Sequence, residues 1–185
     1  TGHSICVQQS NPKDIQNFKD YICNVVRQAR IPICKGDNTN SMAKRSGEVE
    51  QIVVHCTATR PSQNIGVADI DAWHRHRGFL GCGYHIIIKR DGTIEHGREL
   101  DEVGAHARGF NHSSLSVALV GGVTEDDVKK SEMNFTDIQF TVLREVLTEL
   151  TTAHPTAQVL GHRDLPNVQK DCPSFDVKKW LNSAG

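Results

Sequence analysis

Gln51-Ile52-Val53-Val54-His55-Cys56 is a continuous apolar run, rich in β-branched residues, with a histidine near its end. A strand buried on both faces needs unbroken apolar character of this kind rather than alternation, so the run predicts a central strand. A second apolar run, Val159-Leu160-Gly161, leads directly into His162-Arg163-Asp164, and Lys170-Asp171-Cys172-Pro173 follows in a polar loop. Two strand ends and the next loop can converge on one edge of a sheet. A catalytic zinc site takes three protein ligands and keeps a fourth position open, and His55, His162 and Cys172 would supply two imidazoles and one thiolate. A single thiolate leaves the ion with net positive charge, enough to lower the pKa of bound water toward neutrality. Taken singly, each of these residues has an ordinary structural explanation; only their convergence would make a site.

The intervening chain supplies the frame. Thr57 to Asn64 reads as a loop. Val67 to Arg77 reads as a helix with Val67, Ile70, Trp73 and His74 on one face, stopped by Gly78. Tyr84 to Lys89 is a second strand, and Asp91-Gly92 turns it into a hairpin with Thr93 to His96. Leu100 to Ser114 is irregular, Leu115 to Val120 is a third long strand ending at Gly121-Gly122, and Glu125 to Glu132 is a solvated loop. Thr136-Asp137-Ile138-Gln139 is a capping box. It opens a helix to about Thr152 that turns Ile138, Val142, Val146 and Leu150 inward, flanked by Leu143 and Leu147. Asp176 to Leu181 closes the chain as a short helix with Trp180 inward. The expectation is an α/β single domain with a central mixed sheet flanked by helices.

A helical arm precedes this domain. Asn11 is a good N-cap and Pro12 suits the first helical position. Ile15, Phe18, Ile22, Val25, Val26 and Ala29 recur on one face up to Arg30, before Ile31-Pro32 ends the helix. The stripe would dock on the chain's own domain, the first expectation, or on a partner. Residues 35–47 are polar and rich in Gly, Asn and Ser, as a linker is, and Met42-Ala43-Lys44-Arg45 resembles a translation start. The division is therefore 1–45 for arm and linker and 46–185 for the main domain.

Composition narrows the function classes. With 37% hydrophobic and 23% charged residues, the 185-residue chain suits a globular domain. Its net charge of -1 offers no general attraction for nucleic acid. No apolar run approaches the roughly 20 residues of a transmembrane helix, and Thr1 to Ser10 has no signal-peptide pattern. Ten histidines are many for this length and favour metal or acid–base chemistry. Cys6, Cys23, Cys34, Cys56 and Cys82 read as free thiols, with pairing among the first three left open because spacing does not encode connectivity. Tyr84 would ordinarily be a core tyrosine and Lys170 a surface lysine. Beside a zinc-bound carbonyl, Tyr84 would position water or substrate and Lys170 would stabilise an oxyanion.

Several motifs in order, over roughly residues 50–182, carry a family likeness. They are Ile52 to Ala58, Trp73-His74 with Gly78-Phe79, Gly83-Tyr84-His85 with Lys89 to Thr93, Gly104-Ala105-His106-Ala107, Gly109-Phe110-Asn111, Ser116 to Gly122, Gly161 to Asp164 and Cys172 to Asp176. Together they resemble the zinc N-acetylmuramoyl-L-alanine amidases of the amidase-2 type, nearest to the short phage lysozymes and related to peptidoglycan recognition proteins. The resemblance implies one Zn2+ per chain on His55, His162 and Cys172, with Tyr84 and Lys170 assisting catalysis. It implies hydrolysis, by zinc-activated water and without a covalent intermediate, of the amide between N-acetylmuramic acid and L-alanine of the stem peptide. His106 and Asn111 match positions near the family's substrate groove, though bracing of the irregular loop explains them equally well. Such an endolysin would be made in the host cytoplasm without a signal peptide and act on bacterial peptidoglycan. The alternative is a non-catalytic peptidoglycan-binding recognition module. Non-catalytic relatives commonly lose the cysteine ligand, so Cys172 together with Lys170 favours the enzyme.

Overall fold

The computed structural model describes residues 42–183. The arm helix expected over residues 11–30 and Cys6, Cys23 and Cys34 lie outside them. Strand β1 (Gln51–Cys56) runs parallel to β4 (Ser114–Leu119) on one side and β5 (Gln158–Gly161) on the other. Beyond β4 lie β2 (Ile86–Ile88), also parallel, and β3 (Ile94–His96), its antiparallel hairpin partner. The sheet order β3-β2-β4-β1-β5 is mixed, as the sequence implies.

Alternation along the strands assigns two different jobs to the two faces of the sheet. Ile52 and Val54 of β1, Ile86 and Ile88 of β2, and Leu115, Val117 and Leu119 of β4 join the main core. There they meet Val142, Leu143, Val146, Leu147 and Leu150 of helix α2 (Asp137–Ala153) and Val177 of helix α3 (Val177–Asn182). Val53, His55, Ser114, Ser116 and Ala118 occupy the other positions of β1 and β4, and all five are buried. The sheet thus keeps one apolar face for stability and turns histidine and serine to the opposite one.

The capping box at Thr136 forms: Gln139 N–H donates to Thr136 Oγ1 at 3.2 Å, and Thr136 N–H donates to Gln139 Oε1 at 3.0 Å. Gln139 is itself fully buried, and its Nε2 donates to the carbonyls of Ile88 (3.1 Å) and Val120 (3.0 Å), tying α2 to the ends of β2 and β4.

Three sequence expectations shift. In helix α1 (Val67–His76) only Ile70 and His74 are buried, and Trp73 is 43% exposed rather than inward. A ten-residue helix presents one narrow stripe to the core, and the i, i+4 pair uses it. Ile138 is also exposed, lying against Gly92 in the hairpin turn instead of in the core. Finally, residues 43–45, read as linker, are hydrogen-bonded to the domain. Val103 N–H donates to Ala43 O, Arg45 N–H to Asp101 O, and Lys44 pairs with Asp101 at 2.7 Å.

Candidate metal centre

The register of β1 with β5 sets Val54 opposite Gly161, so the residues that follow, His55 and His162, come side by side. Their ring centroids are 4.5 Å apart. A short 3-10 turn, His162–Asp164, begins there, and Arg163 N–H donates to Cys172 O at 2.8 Å, folding the cysteine loop back over the strand ends. Ligand atoms of His55, His162 and Cys172 all lie within 4.8 Å of one another, and Cys172 Sγ is 3.8 Å from His55 Nδ1. Two ligands on a tetrahedral zinc, at bond lengths near 2.0–2.3 Å, stand about 3.3–3.6 Å apart, so this nitrogen–nitrogen–sulfur set has the donor chemistry for that ion and stands somewhat wider than the ion would draw it.

The electrostatics favour ligation. Burial, followed by the positive charge that His106 and His162 would carry if protonated, holds His55 well below the usual imidazole range. Burial, then the Lys170 ammonium, lowers His162 as well. Both rings are therefore neutral at pH 7, with a lone pair to offer. The Cys172 sulfur accepts a hydrogen bond from the Cys56 backbone N–H at 3.3 Å. Its hydrogen bonding with the Cys56 thiol, then burial, pushes the Cys172 thiol up, so ligation there displaces a proton.

Tyr84 stands against this cluster, its ring 5.2 Å from His55 and 5.4 Å from His74. His74 Nδ1 accepts the Gly83 N–H at 2.8 Å and so fixes the backbone just before Tyr84. Burial, reinforced by the sulfur of Cys172, raises the Tyr84 phenol above its ordinary value. The hydroxyl consequently stays protonated and acts as a donor, not as a base. Lys170 is exposed, two residues before Cys172.

His106 and Asn111 come to the same region in different roles. Asn111 Oδ1 accepts the backbone N–H groups of His106 and Ala107, both at 2.9 Å, which braces the irregular loop. His106 Nδ1 lies 2.9 Å from His55 Nε2. Residues around the site to which the sequence assigns no individual role include His85, Ser114, Ser116 and Arg98. The fully buried His85 accepts the Ser116 N–H at Nδ1 (3.1 Å) and donates from Nε2 to Glu102 O (3.0 Å). Arg98 donates to Cys82 O at 2.7 Å and Val103 O at 2.6 Å, holding two loops of this face together. The one available signal was the Ser114/Ser116 pair at i, i+2, which puts two hydroxyls on one face of an otherwise apolar strand.

Residues 45–175 match the N-acetylmuramoyl-L-alanine amidase family of the amidase-2 type. This chain belongs to that amidase family. It is 48% identical over 137 residues to the endolysin of Enterobacteria phage T3, covering 74% of this chain and 88% of that one. Among solved structures, the endolysin amidase LysCS of Clostridium intestinale superposes with a TM-score of 0.63 at 28% identity, over 80% of this chain and 93% of that one. The peptidoglycan recognition protein PGRP-LB of Drosophila shares the fold, with a TM-score of 0.64 at 21% identity, over 78% of this chain and 86% of that one. In this amidase the family match begins at Arg45, one of the residues that hydrogen-bond back onto the domain.

Proposed function

We infer that this amidase is a zinc-dependent endolysin. It hydrolyses the amide between N-acetylmuramic acid and L-alanine of the stem peptide and acts on the bacterial cell wall. The observation that carries the reading is the convergence of His55, His162 and Cys172 within 4.8 Å in a chain of the amidase-2 family. Among the described residues no helix is long and apolar enough to cross a membrane, which suits a protein that works on a wall polymer.

His55, His162 and Cys172 would hold the ion, which supplies Lewis acidity at the amide carbonyl and lowers the pKa of water at its open position. The protonated Tyr84 hydroxyl positions the attacking water or the substrate carbonyl through a donated hydrogen bond. The Lys170 ammonium stabilises negative charge as it develops on the carbonyl oxygen. The Cys56 N–H donates to the Cys172 sulfur and would stabilise the thiolate that forms when the ion displaces its proton. The domain that does this work spans residues 46–185, with contacts reaching back to residue 43.

Replacing His162 by alanine is expected to abolish zinc binding and release of stem peptides from purified cell wall together, followed by metal analysis and mass spectrometry of the products. A chelated, metal-free wild type that still released stem peptides at the normal rate would overturn the reading.

A further inference from the structure

His106 lies beside the metal triad without belonging to it, and the polarity of its hydrogen bonds can be traced to an end point. Ser114 Oγ is 2.7 Å from Phe110 O and 3.2 Å from His106 Nε2. A carbonyl can only accept, so the single hydroxyl hydrogen goes to Phe110 O, the shorter contact. Ser114 Oγ must then accept, which places the His106 proton on Nε2 and leaves a lone pair on Nδ1. That lone pair faces His55 Nε2 at 2.9 Å, so His55 carries its proton on Nε2. The free lone pair of His55 is left on Nδ1, the nitrogen 3.8 Å from Cys172 Sγ.

We propose that His106 and Ser114 are positioning residues for the metal centre, forming a relay from Phe110 O through Ser114 and His106 that locks His55 in the tautomer offering Nδ1 to the ion. The proposal rests on the reading of His55 as a zinc ligand. It gives His106 a different task from the substrate contact that the family likeness suggests. The surroundings are built to hold the ring in this one place. Asn111 Oδ1 pins the His106 and Ala107 amides from behind. A side chain at Gly104 would put its Cβ 2.5 Å from His106 Cδ2 and 2.9 Å from His85 Cε1, so only glycine leaves room for the two rings. Ser114 sits on β4 paired with Gln51 of β1, and the relay is thus anchored on the strand next to the one that carries His55. Metal-bound histidines generally need such a partner on the second nitrogen, and its loss typically weakens metal affinity about 10–100-fold.

Two measurements test this. Long-range nitrogen–proton NMR of the histidines in the zinc-loaded wild type should show protons on Nε2 of both His55 and His106. Zinc dissociation constants, from competition with a chromophoric chelator, should rise about 10–100-fold in His106→Leu, which keeps volume but removes the acceptor. Ser114→Ala should lie between the two. His106→Asn, whose Oδ1 restores an acceptor near the position of Nδ1, should recover most of the affinity. Zinc-loaded wild type with the His55 proton on Nδ1 would overturn the relay while leaving the metal site standing. So would His106→Leu with wild-type zinc affinity and impaired turnover, which would return His106 to the substrate. A wild type that binds no zinc would overturn the metal reading itself, and the relay with it.

Discussion

Tyr84 and Lys170 illustrate how a residue's surroundings decide its chemistry. A phenol in water loses its proton near pH 10, but burial beside the Cys172 sulfur raises Tyr84 further, so the hydroxyl keeps a hydrogen to donate at physiological pH. Replacing Tyr84 by phenylalanine removes that donor and little else. Zinc content should remain at one per chain while turnover falls about 100-fold, the usual cost of one lost donor in an electrostatic site. Metal analysis and hydrolysis rates on the same preparation check this, and an unchanged rate would take Tyr84 out of the mechanism. The three candidate ligands could be named from the sequence, not because a histidine at a strand end or a cysteine in a loop is distinctive alone, but because the ordered run of motifs joins them. The tasks of His74 and His106 could not. A hydrogen bond from Gly83 to His74, or between His55 and His106 across 51 positions, leaves no trace in spacing.

Among the elements, α2 shows how one side chain can serve two levels of structure. Gln139 completes the cap of its own helix and donates to the carbonyls of Ile88 and Val120 at the sheet edge. Replacement by leucine fills the space but leaves those donations unmade and the Thr136 N–H without its partner. Unfolding free energy should drop by about 1–3 kcal/mol, read from urea denaturation. A change inside measurement error would mean that the strand ends satisfy themselves. The capping box was readable from Thr136 and Gln139 in sequence, and so was the apolar stripe behind it. The burial of Gln139 was not, because it depends on which strand ends lie beneath the first turn. The same reason explains Trp73 and Ile138: periodicity identifies the apolar side of a helix but not how wide a stripe the neighbouring sheet can cover.

For the molecule as a whole, histidines buried neutral on the site face set the response to acid. His55, His74, His85 and His106 are all lowered, in each case first by burial. His85 is displaced from about 6.5 when unfolded to about 4. The unfolded chain therefore binds more protons than the folded one between those values. Stability from this group is fully present above pH 6.5 and is lost as pH falls toward 4, by about 3 kcal/mol at most. The other three act in the same direction. Urea midpoints of the metal-free protein should therefore decline steeply between pH 6.5 and 4.5, and His85→Gln should show a shallower decline. A flat profile across that range would contradict neutral burial of these rings.

The sequence by itself determined the α/β class, the mixed sheet, the hairpin, the capped helices and the set of candidate ligands, since each follows from local periodicity, turn chemistry or an ordered run of motifs. Only the tertiary structure decided which nitrogen of His55 faces Cys172, what holds His106, and that residues 43–45 bond to residues 101–103. Those facts depend on strand register and on contacts between residues far apart in the chain. A one-residue slip of β1 against β5 would keep every motif in the sequence and separate His55 from His162.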